Sequence, residues 1–307
     1  AERFLMATGK TLQSMIAQVT GAVVNIVLDY VFIYPLGGGI AGAAYATVIG
    51  QIVSLVMALV MHYAGNKEID GNLRYAKPDK TIIGQIYKIG FPAFLMQGML
   101  SVMMFGVLLI VGTITDNYLL SGAYGIYYKL MQMALFASFG LSNTLISLTG
   151  YNYGTGNIQR VRQTALWGIV DTVIVTAVIT VLFQVFAKPI TALFALTADD
   201  SGAVSRQDLV ETCISALRIA TIGYVFMGFS VAVQGVLQGL RKVYGPLIIS
   251  AIRSLVAVLP LAYLFVLTDN PTKMLWWAFP IAEVVAAVVA AVLLCMALKH
   301  LSKGNME

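Results

Sequence analysis

Charge is the scarcest property of this sequence. Only 11% of its 307 residues are Asp, Glu, Lys or Arg, against about 25% in a typical soluble domain. With 59% hydrophobic residues and a mean hydropathy of +0.85, this excludes a soluble globule and indicates a polytopic membrane protein. Cysteine is nearly absent. Cys213 and Cys295 lie in separate apolar segments and read as small buried hydrophobes, not as a disulfide framework. The two histidines, His62 and His300, end two distant segments, too few and too scattered for a zinc site. No DDxxD-type or HExxH-type run occurs. A membrane-embedded transferase would need such a metal cluster or a His-based nucleophile, so the chain reads as a non-enzyme without a cofactor. Nothing resembles a channel's filter. The net charge of +5 does not call for nucleic acid, because the basic residues are spread over short loops with no basic-aromatic stripe. A signal-peptide pattern is missing too. The opening AERFLMATGK has no initiating Met and looks like a mid-protein start, from a fragment expected not to transport alone.

Long apolar runs take the place of charge. A membrane-spanning helix needs about 20 apolar residues. Eight such runs are predicted, near 12–34, 41–63, 84–112, 118–147, 164–187, 209–238, 245–267 and 275–298, separated by Pro, Gly, Asn and Asp punctuation. The fold class expected is therefore all-α and integral to the membrane. The polar stretch GNKEIDGNLRYAKPDK divides residues 1–64, a helix pair, from 84–307, a six-helix block, with 65–83 as connector. Residues 79–90 look amphipathic and fit an interfacial segment before the third span. Alternate loops collect the cations: Arg3 and Lys10, then Lys67, Arg74, Lys77 and Lys80, then Arg160 and Arg162, then Arg241 and Lys242, then Lys299 and Lys303. The positive-inside rule puts these loops, and both chain ends, in the cytoplasm, with the protein in the cytoplasmic membrane.

An internal repeat supports the division. Shifted by 232 positions, the first helix pair falls on the last without gaps: Lys10 meets Lys242, Val24 meets Val256, Ala46 meets Ala278 and Gln51 meets Glu283. Both pairs run from inside to outside and back, so the repeat is parallel, about an axis along the membrane normal.

Polar side chains within these runs are the natural site candidates, because burying them in lipid is costly. Asn25 and Asp29 are four apart and share one helix face. Thr47 on the next run lies at nearly the same depth, counting 1.5 Å per residue. These oxygens form either a cation or proton site or an interhelical hydrogen-bond cluster. Hard cations take oxygen ligands, and a desolvated carboxyl group favours its protonated form; no metal is expected beyond Na+ at Asp29. Lys129, Asp171, Arg218, Arg253 and Glu283 are weaker candidates, any pair of which could be a structural ion pair. Gln97, Tyr128, Lys129, Gln132 and Gln234 are candidates for lining a substrate cavity. The 14 Met and 15 Tyr suit adaptable contacts with organic cations, or plain core packing and interfacial belts.

NIVLDYVFI, a Gly turn and GIAGAAYATVIGQ resemble helices five and six of the MATE family of multidrug and toxin extruders. KIGFPAFLMQ resembles the start of its helix seven, AYGIYYKLMQMALFASFGLSNTLISLTGYNYGTGNIQRVR its helix eight and the following loop, and QGLRKVYGPL the loop before its helix eleven. The resemblance covers essentially the whole chain and implies the last two helices of an N-lobe plus a complete six-helix C-lobe, without the first four helices. It implies an antiporter that exchanges Na+ or H+ for small amphipathic organic cations. In the DinF-like branch, an Asn and an Asp four apart and a Thr on the next helix hold the cation; Asn25, Asp29 and Thr47 match them. The NorM-like branch has a Glu on helix seven and an Asp on helix ten, and neither is present. Ala257 and Leu261 replace Asn25 and Asp29 in the second copy, so coupling is expected in the N-lobe. The alternative is a flippase for a lipid-linked saccharide, which would call for a strongly cationic cavity.

Overall fold

The computed structural model describes residues 2–65, 79–115, 118–195 and 206–302. Every regular element among them is helical. A short α1 (Glu2–Ala7) precedes α2 (Thr11–Ile33) and α3 (Gly39–Gly65). Then follow α4 (Lys80–Thr115), α5 (Tyr118–Gly154), α6 (Ile158–Val185) and a short α7 (Ala187–Ala195). The remaining helices are α8 (Arg206–Ala220), α9 (Tyr224–Gly239), α10 (Tyr244–Ala251), α11 (Val258–Val266), α12 (Pro271–Met274) and α13 (Ala278–Ser302). Eight stretches are long and apolar enough to cross a membrane, matching the eight runs read from the sequence. Helices are the expected solution, since lipid leaves the backbone no partner but itself.

Three of the eight are not single helices. A 3-10 turn at Thr221–Gly223 joins α8 to α9, a π-helical turn at Ile252–Ala257 joins α10 to α11, and a 3-10 turn at Leu275–Trp277 joins α12 to α13. Of residues 79–90, expected as an interfacial segment, 80–90 form the exposed first turns of α4, which runs on without a break through Pro92. Most of the expected connector lies outside the described residues.

Contacts divide the chain into one unit over residues 1–79 and another over 80–307. In the first, α2 and α3 pack against each other through glycines. A Cβ added to Gly50 would stand 2.7 Å from Asn25 Cβ and 2.8 Å from the Gly21 carbonyl oxygen. A Cβ on Gly21 would stand 2.6 Å from Ser54 Cβ. Small residues are what let membrane helices approach this closely, where dispersion contacts replace the hydrophobic effect. Gly50→Val should therefore force the pair apart at a cost of about 1–3 kcal/mol and lower the melting temperature of the purified protein. An unchanged melting temperature would refute the close crossing.

The second unit is built around rings. Trp276, Tyr124, Tyr127 and Tyr224 are fully buried, and Phe279 lies 4.9 Å from Tyr127 and stacks on Tyr124 at 6.0 Å between centroids. On α13, Ala278, Ala282, Ala286 and Ala290 are all buried. Their spacing of four makes one narrow stripe of small side chains, the kind that permits a close approach like that of α9.

Candidate functional site

Asn25 and Thr47 face each other across a polar groove of about 360 Å³ between α2 and α3, whose lining also includes Glu2, Gln18, Gln51 and Ser54. Gly50 lets α3 pass close to Asn25, since a Cβ there would stand 2.7 Å from Asn25 Cβ. Ser54 donates to Glu2 Oε1 (3.1 Å), and Gln18 Nε2 to Ser14 Oγ (3.3 Å). The Thr47 hydroxyl donates back to the Ala43 carbonyl (2.9 Å), which leaves its lone pairs available as a ligand. Asp29 stands one turn beyond Asn25 and is not part of the groove's lining. Its Oδ1 and Asn25 Nδ2 are both buried without a hydrogen-bond partner. Leaving such atoms unpaired costs about 1–3 kcal/mol each; an incoming cation or proton can offset that cost at the Asp29 oxygen, whereas the Asn25 amide N–H needs an acceptor.

Glu2, Gln18, Gln51 and Ser54 line the groove but were not among the candidates Asn25, Asp29 and Thr47, and all but Glu2 could have been found from the sequence. A signal for them exists. Gln18, Asn25 and Asp29 recur at seven and four on α2, and Thr47, Gln51 and Ser54 at four and three on α3. Each set is a polar stripe at helical spacing.

The cavity candidates are dispersed. Tyr128 and Gln234 are buried, and Gln234 Oε1 accepts from Ser250 Oγ (3.2 Å). Gln97 and Lys129 are exposed, and Gln132 is half-buried. Asp171 lines an open groove with Gln163, Thr164 and Trp167, and Arg218 is exposed at the end of α8.

Arg253 and Glu283 do come together. Arg253 Nε lies 3.7 Å from Glu283 Oε1, with side chains only 4% and 14% exposed. That is an ion pair too long for a direct hydrogen bond. Arg253 Nη1 and Glu283 Oε2 are buried and unpartnered, and the buried Tyr127 and Tyr224 hydroxyls lie within hydrogen-bonding reach of each other. These four residues line a cavity of about 10 Å³, room for about one water. Arg253 sits in the π-helical turn, an irregularity found disproportionately at functional sites. At the shift of 232 its counterpart is Gly21, and that of Glu283 is Gln51. The same place in the two helix pairs thus holds a polar groove in one and a closed charged pair in the other.

Known proteins share this arrangement of helices. The multidrug export protein MepA of Staphylococcus haemolyticus is 29% identical over 289 residues, covering 94% of this chain and 61% of that protein. MepA of Staphylococcus aureus strain MSSA476 is 25% identical over 309 residues, and the chain spans 65% of its length. A multidrug resistance MATE family transporter of the MOP superfamily, solved in an outward-facing conformation, superposes with a TM-score of 0.88 at 27% identity, covering 98% of this chain and 65% of that one. A MOP superfamily transporter from Pyrococcus furiosus, described by the reversed polarity of its binding pocket, superposes equally well at 0.88, also at 27% identity, covering 98% of this chain and 66% of that one. The MatE family model matches residues 92–264, more than half of the sequence. With eight apolar helices able to cross a bilayer, this is a multi-pass membrane protein, and the chain belongs to the MatE family.

Proposed function

We propose that the full-length protein is a cation-coupled exporter of amphipathic organic cations, with Na+ or H+ as the coupling ion at Asp29, assisted by Asn25 and Thr47. The observation that carries this reading is the buried, unpartnered Asp29 Oδ1, one turn from the polar groove of α2 and α3 that Asn25 and Thr47 line. Its relatives are named multidrug exporters, and the chain spans 61% and 65% of their lengths, so the activity is proposed for the whole protein. The match of Asn25, Asp29 and Thr47 to the DinF-like pattern supports coupling in the N-lobe, and loop charge supports cation-rich loops facing the cytoplasm.

The physical logic is a difference in affinity. An ion shifts a two-state equilibrium only as far as it binds one state better than the other. An oxygen cluster with unmet hydrogen bonds is satisfied by Na+ or a proton in one arrangement of the helices and by drug-linked rearrangement in the other. The flippase alternative wants an uncompensated cationic cavity, whereas Arg253 is matched by Glu283.

The test is transport by the full-length protein in proteoliposomes loaded with ethidium. An imposed inward Na+ or H+ gradient should drive ethidium out, and the gradient that works identifies the ion. Ethidium movement indifferent to both gradients would end the coupled-antiport reading.

A further inference from the structure

The two helix pairs are entered through the same backbone motif, and its left-handed position holds a different residue in each copy. Where α1 ends, the Gly9 N–H donates to Met6 O (3.1 Å) and the Lys10 N–H to Leu5 O (2.8 Å), with Gly9 at φ +77°. At the positions 232 further on, where α9 ends, the Arg241 N–H donates to Gln238 O (2.9 Å) and the Lys242 N–H to Leu237 O (2.9 Å), with Arg241 at φ +59°. This is the Schellman closure of a helix, and its left-handed position belongs to glycine. Among the described residues Arg241 is the only non-glycine with a positive φ. The first copy keeps glycine there; the second holds an arginine in a backbone conformation that penalises any side chain. Strain retained in this way directs attention to what the side chain does.

Arg241 lines an open polar groove of about 510 Å³ with Lys242, His300 and Tyr153, over Leu240, Ala297 and Leu301. All three basic residues are exposed, and among the described residues no acidic side chain lines the groove. It lies where α5, α9 and α13 end, alternate spans that reach the same membrane face, the one that loop charge assigns to the cytoplasm. In the first copy Lys10 is already committed, since its Nζ donates to the Gly65 carbonyl.

We propose that this groove binds the phosphate headgroup of an anionic lipid in the cytoplasmic leaflet. The guanidinium fork of Arg241 suits two phosphate oxygens at once, and Lys242 adds a point charge. Half-buried Leu301, beside the buried Leu240 and Ala297, offers an apolar contact for the first carbons of the chains. The anionic leaflet supplies such ligands at high local concentration.

The experiment is native mass spectrometry of the full-length protein in detergent, titrated with phosphatidylglycerol or with phosphatidylcholine. Arg241→Gly restores the residue that the backbone prefers, so the fold is kept and its melting temperature should hold or rise. Native protein should prefer phosphatidylglycerol, and Arg241→Gly and Lys242→Gln should each weaken that binding about fivefold. Millimolar inorganic phosphate should fail to displace the lipid; displacement would replace the lipid with free phosphate as the ligand. Equal binding of the two lipids, or phosphatidylglycerol binding untouched by both substitutions, would overturn the proposal. Because the readout is lipid binding, it stands or falls apart from drug export.

Discussion

Asp29→Asn should abolish gradient-driven ethidium export by the full-length protein while leaving its amount in the membrane unchanged. The amide keeps the shape of the carboxyl group and its place on α2, one turn beyond Asn25. It cannot carry a negative charge, cannot gain and release a proton, and offers one ligand oxygen where the carboxylate offers two. If Asp29 is where the coupling ion binds, the ion loses its differential affinity for the two states and drives nothing. An ion must prefer one state by roughly 10⁴-fold to move an equilibrium from 1:99 to 99:1, so even partial loss is steep. The expected fall in coupled efflux is at least tenfold. Ethidium binding without a gradient should survive, which separates a coupling defect from a damaged drug site. Efflux equal to that of the native protein would move coupling away from Asp29.

Much of this arrangement was legible in the sequence, for physical reasons that differ by feature. The eight spans were legible because lipid demands about 20 apolar residues per crossing and a chain this poor in charge has few other ways to meet that demand. Asn25 and Asp29 were legible because helical spacing puts them on one face. The breaks in three spans were not. The turn at Thr221–Gly223 lies against the start of α13, where a Cβ on Gly223 would fall 2.8 Å from Pro280 Cα. Gly223 and Pro280 are both visible in the sequence, but their meeting across 57 positions is a tertiary fact. The π-helical turn around Arg253 is hidden for the same reason. Tyr128 and Lys129 illustrate the limit differently. Neighbours on a helix point about 100° apart, so adjacent residues seldom share a cavity; here one is buried and the other exposed.

Arg253 and Glu283 carry the second large prediction, and it concerns stability. Arg253→Met or Glu283→Gln alone should each cost about 3–5 kcal/mol, because either substitution leaves a charge buried without its counterion. Replacing both, as Arg253→Met with Glu283→Leu, should recover most of that loss, since a well-packed apolar pair is often as stable as a buried ionic one. The surroundings favour the recovery: Met103, Met131, Leu135 and Met227 line the same small cavity, and methionine fills irregular space readily. A double-mutant cycle on melting in detergent isolates the coupling between the two residues. Two mild single mutants with additive effects would mean that the 3.7 Å pair contributes no net energy. A stable double mutant would show in addition that packing does not require the charges. They stand at the positions where the first helix pair has Gly21 and Gln51, and Arg253 lies in a turn of unusual backbone. A stable double mutant that exports ethidium more slowly than the native protein would assign the charges to transport, whereas one that exports at the native rate would leave them a structural role alone.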